Sequence, residues 1–74
     1  MVYDDFVKMV AEQLDRDVAE IKETTTLQDL GADSLDVMDL GMDVKQKWGV
    51  EIKREDMNNL VTIKDYVDYI KSNQ

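Results

Sequence analysis

The chain has 74 residues, with no cysteine and no histidine. That size allows one domain near the lower limit for a self-standing hydrophobic core, and the missing residue types exclude disulfide staples, thiolate chemistry, zinc sites and the usual general base. Nine basic residues against seventeen acidic give a net charge of −8, which disfavours nucleic acid and anionic membranes and favours partners with basic docking surfaces.

A hydrophobic fraction of 43% is enough for a small packed domain rather than a disordered chain. No apolar run approaches the length of a membrane span and no signal-peptide pattern opens the sequence, so a cytoplasmic monomer is expected. Without proline or a Gly/Ser-rich stretch there is no linker, and residues 1–74 read as a single domain.

From Val2 to about Leu14, apolar residues at Tyr3, Phe6, Val7, Val10 and Leu14 follow steps of three and four, the signature of one buried helical face. Asp15 to Ala32 has no sustained period. Val18, Ile21, Leu27 and Leu30 are spaced apolar anchors in it, expected to pin a long loop with a short helical turn near Val18–Glu23.

The stretch Leu30-Gly31-Ala32-Asp33-Ser34-Leu35-Asp36 then delivers a serine to the first turn of a second helix, Ser34 to about Trp48. Asp33 can cap that helix and Asp36 can reach back to it. The Ser34 hydroxyl would lie beside unpaired N–H groups at the positive end of the helix dipole, where an anionic phosphodiester is well placed.

Projected at about 100° per residue, Val37, Leu40, Val44 and Trp48 make a core stripe, and Leu35, Met38 and Met42 cluster roughly opposite. Asp36, Asp39 and Asp43 form an acidic ridge beside that second apolar set. A helix in a small bundle needs one buried face, so the second stripe, rimmed with carboxylates, is a candidate partner surface. Gly41, mid-helix on the core side, costs about 1 kcal/mol relative to alanine.

Gly49 ends the second helix, and Val50 and Ile52 alternate with charged residues in a short extended link. A brief third helix is expected near Arg54–Leu60, burying Met57 and Leu60. The last helix begins at Thr62, with Asp65 completing a capping box and Ile63, Tyr66, Val67 and Ile70 facing inward. Ser72 to Gln74 should fray. These elements predict an all-α fold, a small four-helix bundle with three longer helices, one short third helix and a long first loop.

In this order of elements the chain resembles the acyl carrier proteins. The resemblance rests on Asp33-Ser34-Leu35 within the Leu30–Asp36 stretch, the acidic second helix ending in Trp48, the Val50-Glu51-Ile52 link and the Thr62-Ile63-led last helix. It implies that Ser34 is the attachment point for 4′-phosphopantetheine, moved from coenzyme A by a phosphopantetheinyl transferase. The thiol of that arm would carry acyl groups for fatty-acid, polyketide or related specialised synthesis.

It also implies that the second helix recognises partner enzymes, with Asp33, Leu35, Asp36 and Met42 at matching positions. The helical projection adds Met38, Asp39 and Asp43. Lys53 stands where many relatives have proline and Gly41 where they often carry a branched aliphatic, departures that bear on the pathway served. Two other functions remain open from the residues, a peptidyl or aminoacyl carrier and a cofactor-free acidic docking domain. An enzyme is disfavoured, because no nucleophile–base pair can be assembled from histidine or cysteine, and no metal or catalytic residues are assigned.

Overall fold

Each long helix forms because its apolar residues recur on one side and can be buried together. The computed structural model describes all of residues 1–74. Helix α1 spans Val2–Leu14, α2 Ser34–Trp48, α3 Arg54–Met57 and α4 Ile63–Asn73, with one turn of 3-10 helix at Val18–Glu20. The architecture is the expected all-α four-helix bundle with a short third helix. No helix is long and apolar enough to cross a membrane.

The inner stripes meet in one core. Phe6 and Val10 of α1, Val44 of α2, Val50 of the following link, and Ile63 and Ile70 of α4 are fully buried. Phe6 stacks on Tyr66 with ring centroids 5.6 Å apart and an interplanar angle of 18°, a contact that adds to burial in holding α1 to α4. All four residues expected on the inner face of α4 are buried, and no polar or charged residue is.

The long first loop is tied down at both ends of its course. Ile21, Leu27 and Leu30 enter the core. The loop also accepts hydrogen bonds from the start of α4, where Ile63 N–H donates to the Thr25 carbonyl at 2.9 Å and Lys64 N–H to the Glu23 carbonyl at 3.0 Å. The remaining first-turn amides of α4 are satisfied locally. Asp65 N–H donates to Thr62 Oγ1 at 3.2 Å, and Tyr66 N–H donates to the Thr62 carbonyl at 3.3 Å. In return Asp65 Oδ2 accepts from the amides of Thr62 and Val61, which holds the Asp65 carboxyl below its ordinary value.

Three expectations are corrected. Val18 is 48% exposed rather than an anchor, because the 3-10 turn capped by Asp17 points it away from the core. Helix α3 stops at Met57, three residues short of Leu60, and leaves Met57 and Leu60 half-buried. Asn58 and Asn59 are poor helix formers that compete for local backbone bonds. The last helix runs on through Ser72 and Asn73, where Asn73 Nδ2 donates back to the Tyr69 carbonyl at 2.8 Å.

Helix α1 ends on Asp15 in the left-handed region, φ 53°, a conformation that favours glycine. A Cβ at Gly41 would meet no atom within 4 Å, so that glycine has its helix-propensity cost without a packing reason. Asp15→Gly and Gly41→Ala should therefore each stabilise the chain by on the order of 1 kcal/mol, read as a higher midpoint in thermal or urea unfolding.

Candidate functional site: the start of the second helix

The N-terminus of α2 is built by two aspartates that bond to each other's backbone. Asp33 Oδ1 accepts from Asp36 N–H at 3.0 Å, and Asp36 Oδ2 accepts from Asp33 N–H at 3.2 Å. Gly31, at φ 80°, turns the chain into this cap. Asp33 is the N-cap, so Ser34 is the first helical residue and its hydroxyl is not needed for capping. Ser34 is exposed.

The first-turn amides of α2 are used differently from those of α4. Asp36 N–H goes to Asp33 Oδ1 and Val37 N–H to the Asp33 carbonyl. The amides of Ser34 and Leu35 have no internal acceptor, whereas the equivalent pair in α4 donates to the first loop. An acceptor bonded to the Ser34 hydroxyl would find two free donors and the positive end of the dipole beside it.

The other predicted residues divide between two flanks of α2. Leu35, Met38 and Met42 are 67%, 59% and 61% exposed. Met38 and Met42 edge a groove of about 360 Å3 between α2 and residues 51–57, lined also by Val37, Gly41, Ile52 and Met57 and by the charged Lys45, Glu51 and Arg54. Asp36, Asp39 and Asp43 lie on the side of α1. Asp39 is exposed and Asp36 half-buried. Asp43 is half-buried in a polar cleft with Asp5, Lys8 and Glu12 of α1 and Lys47 of its own helix. The structure thus gathers Ser34, Leu35, Asp36 and Asp39 near one end and sets Asp43 two turns along, against α1.

Sequence reasoning missed Gln13, whose side chain bonds to both Asp36 and Asp39. The available signal was a polar residue three positions after Val10, at the edge of the α1 core stripe. It also missed Tyr69, whose hydroxyl donates to Asp56 Oδ2 at 2.8 Å, with the Glu51 carbonyl 3.4 Å away, and so holds residues 51–56 to α4. The bond to Asp56, followed by burial, raises the phenol above its ordinary value.

Comparison with known proteins places the whole chain in one family. Residues 4–70 match the family described as phosphopantetheine attachment site. The chain is 47% identical over 75 residues to an acyl carrier protein of Campylobacter lari, covering 99% of this chain and 96% of that protein. It is 42% identical over 74 residues to an acyl carrier protein of Helicobacter pylori, covering 99% and 95%. With an acyl carrier protein of Wolinella succinogenes the identity is 40% over 74 residues, covering 99% and 97%.

The small all-helical bundle and the match over residues 4–70 together define a phosphopantetheine-bearing carrier. The chain belongs to the acyl carrier protein family, whose members are carriers rather than enzymes. Membership implies a covalently attached 4′-phosphopantetheine.

The cap carries a prediction of its own. Asp33→Ala removes the acceptor for Asp36 N–H and should lower stability by about 1 kcal/mol. The start of α2 should fray, which amide hydrogen exchange at residues 34–37 would register as faster exchange.

Proposed function

We propose that Ser34 carries the 4′-phosphopantetheine arm, and that this cytoplasmic carrier delivers acyl thioesters on it to enzymes of fatty-acid, polyketide or related synthesis. The observation that supports this most is the exposed Ser34 hydroxyl at the first position of α2, beside two amides without internal acceptors. In the loading reaction Ser34 Oγ attacks the pantetheine-bearing phosphorus of coenzyme A. An Oγ–P bond forms, the pyrophosphate link to the adenosine bisphosphate breaks, and the hydroxyl proton leaves to a base on the transferase. When attached, the arm supplies a thiol, a group the chain itself lacks.

The exposed face of α2 is the docking surface in this reading. Leu35, Met38 and Met42 offer adaptable apolar contacts, while Asp36, Asp39 and Asp43 attract a basic partner such as a phosphopantetheinyl transferase or an acyl-transferring enzyme. Asp33 serves mainly by fixing where the helix begins. The apolar groove beside Met38 and Met42 offers an acyl chain a place along α2, and Gly41 leaves its wall open.

Intact mass after incubation with coenzyme A and a broad-range transferase tests the attachment residue. The wild-type chain should gain one phosphopantetheine, and Ser34→Ala should gain none while melting at the same temperature. A mass gain that survives Ser34→Ala would reject the assignment. No gain on the folded wild-type chain with two different transferases would favour a cofactor-free docking domain.

Asp39 tests the docking surface more cleanly than Asp36, which is also part of the cap. Asp39→Lys should lower kcat/KM for loading by about threefold or more at low salt and flatten its dependence on ionic strength, because rim charges act mainly on encounter. Equal rates at low salt would count against the acidic ridge.

A further inference from the structure

We propose that Gln13 of α1 is a positioning residue of the docking surface. Its side-chain amide holds the Asp36 and Asp39 carboxylates side by side, so that a partner meets them as one paired anion rather than as two independent charges. The inference rests on α2 being the docking face.

Gln13 lies in the last turn of α1 and is half-buried where that helix packs along α2. Its Nε2 donates to Asp36 Oδ1 at 3.4 Å and to Asp39 Oδ2 at 3.3 Å. A primary amide has two N–H donors and no charge. It can therefore bridge two carboxylates without neutralising them, as lysine would, or repelling them, as glutamate would.

The bridge matters because the two aspartates are three residues apart on one helix and repel each other. Left alone, they would settle in rotamers that point apart. Asp36 is already held through Oδ2 by the Asp33 amide. Gln13 holds its other oxygen and extends that fixed position to Asp39, whose Oδ1 is left for a partner. Asp39 Oδ1, fixed beside the Asp36 charge, is then an acceptor held ready for a cationic side chain, and the rigid fork of a guanidinium gains more from a fixed acceptor than a flexible lysine ammonium does. The partner this arrangement fits is a transferase that docks through an arginine. Acceptors arranged in advance reduce the side-chain ordering needed on binding. Both bonds are at the long end of the N–H···O range, which sets the effect at a few-fold.

The test uses Gln13→Met, which keeps the length of the side chain and removes both donors. Loading of the full chain from coenzyme A by an arginine-docking transferase is followed by intact mass. The KM for the carrier should rise about two- to fivefold with kcat unchanged, and the melting temperature should not move. In an Asp39→Ala background the effect of Gln13→Met should be smaller, since only the Asp36 carboxylate then remains to be held.

An unchanged KM, or the same rise in both backgrounds, would overturn the proposal while leaving Ser34 as the loaded residue. A lower melting temperature with unchanged KM would reduce Gln13 to a helix-packing role and overturn it too. Failure of the folded wild-type chain to load with two different transferases would overturn the loading of Ser34 and this proposal with it.

Discussion

The paired bonds between Asp33 and Asp36 fix where α2 begins. Each carboxylate accepts from the other residue's backbone, so the helix starts at Ser34 and its phase is set from there. With that start, Leu40 and Val44 point inward while Ser34 and Leu35 point out. A start one residue later would turn every later side chain by about 100° relative to the cap. Capping chemistry and the spacing of apolar residues are independent constraints, and here they agree on one phase, the kind of consistency that lets a short sequence specify one structure. The cap also frees the serine. Were Ser34 itself the N-cap, its oxygen would be accepting from an amide of the first turn.

Charge is distributed along α2 in the sense its dipole favours. Asp33 and Asp36 lie at the N-terminal end, and Lys45 and Lys47 in the last turn. An acidic surface can therefore be concentrated around Ser34 with some of its self-repulsion offset by the helix. The two flanks differ in how they are packed. On the acidic side α2 packs along α1, one long helix on another. On the methionine side its neighbour is residues 51–57, where α3 contributes no fully buried side chain. That segment is held by Tyr69 to Asp56 and Glu51 and by an exposed Lys45–Glu51 pair at 3.3 Å, and such exposed pairs contribute little. A charged edge packed on a long helix, beside a groove whose far wall is held by few buried contacts, is the arrangement that the proposed docking surface uses.

What was legible in the sequence was what repeats on a helical period or caps a helix. The bounds of α1 and α2, the four inward residues of α4 and both capping boxes could be read from residue spacing, because each depends on neighbours within a turn or two. The exposure of Leu35, Met38 and Met42 was legible for the same reason. What could not be read depends on partners far apart in the chain. The bonds from Ile63 and Lys64 to the Thr25 and Glu23 carbonyls join backbone to backbone and leave no side-chain signature. Gln13 is 26 residues from Asp39, and a lone polar residue at a stripe edge does not name its partner. Val18 and the end of α3 were misjudged because short irregular segments have no period to test. Ser34 was singled out by its setting within seven residues, and its role came from family resemblance rather than from physics alone.

The core contains no buried polar or charged side chain, and this separates what folds the chain from what the chain does. A polar group inside so small a bundle would need its own hydrogen-bond partners and would couple function to stability. Here the groups assigned to docking or attachment lie outside the core, on α2 and at the edge where α1 packs along it. Reactive chemistry comes from an added arm and not from the interior. Ser34, Leu35 and Asp39 can therefore be altered at small cost to folding. Asp33 and Asp36 are different, since their carboxylates both place the serine and close the helix end. In the proposed reading, the surface free to change with partner and cargo is thus bounded by the two residues that fix where the helix begins.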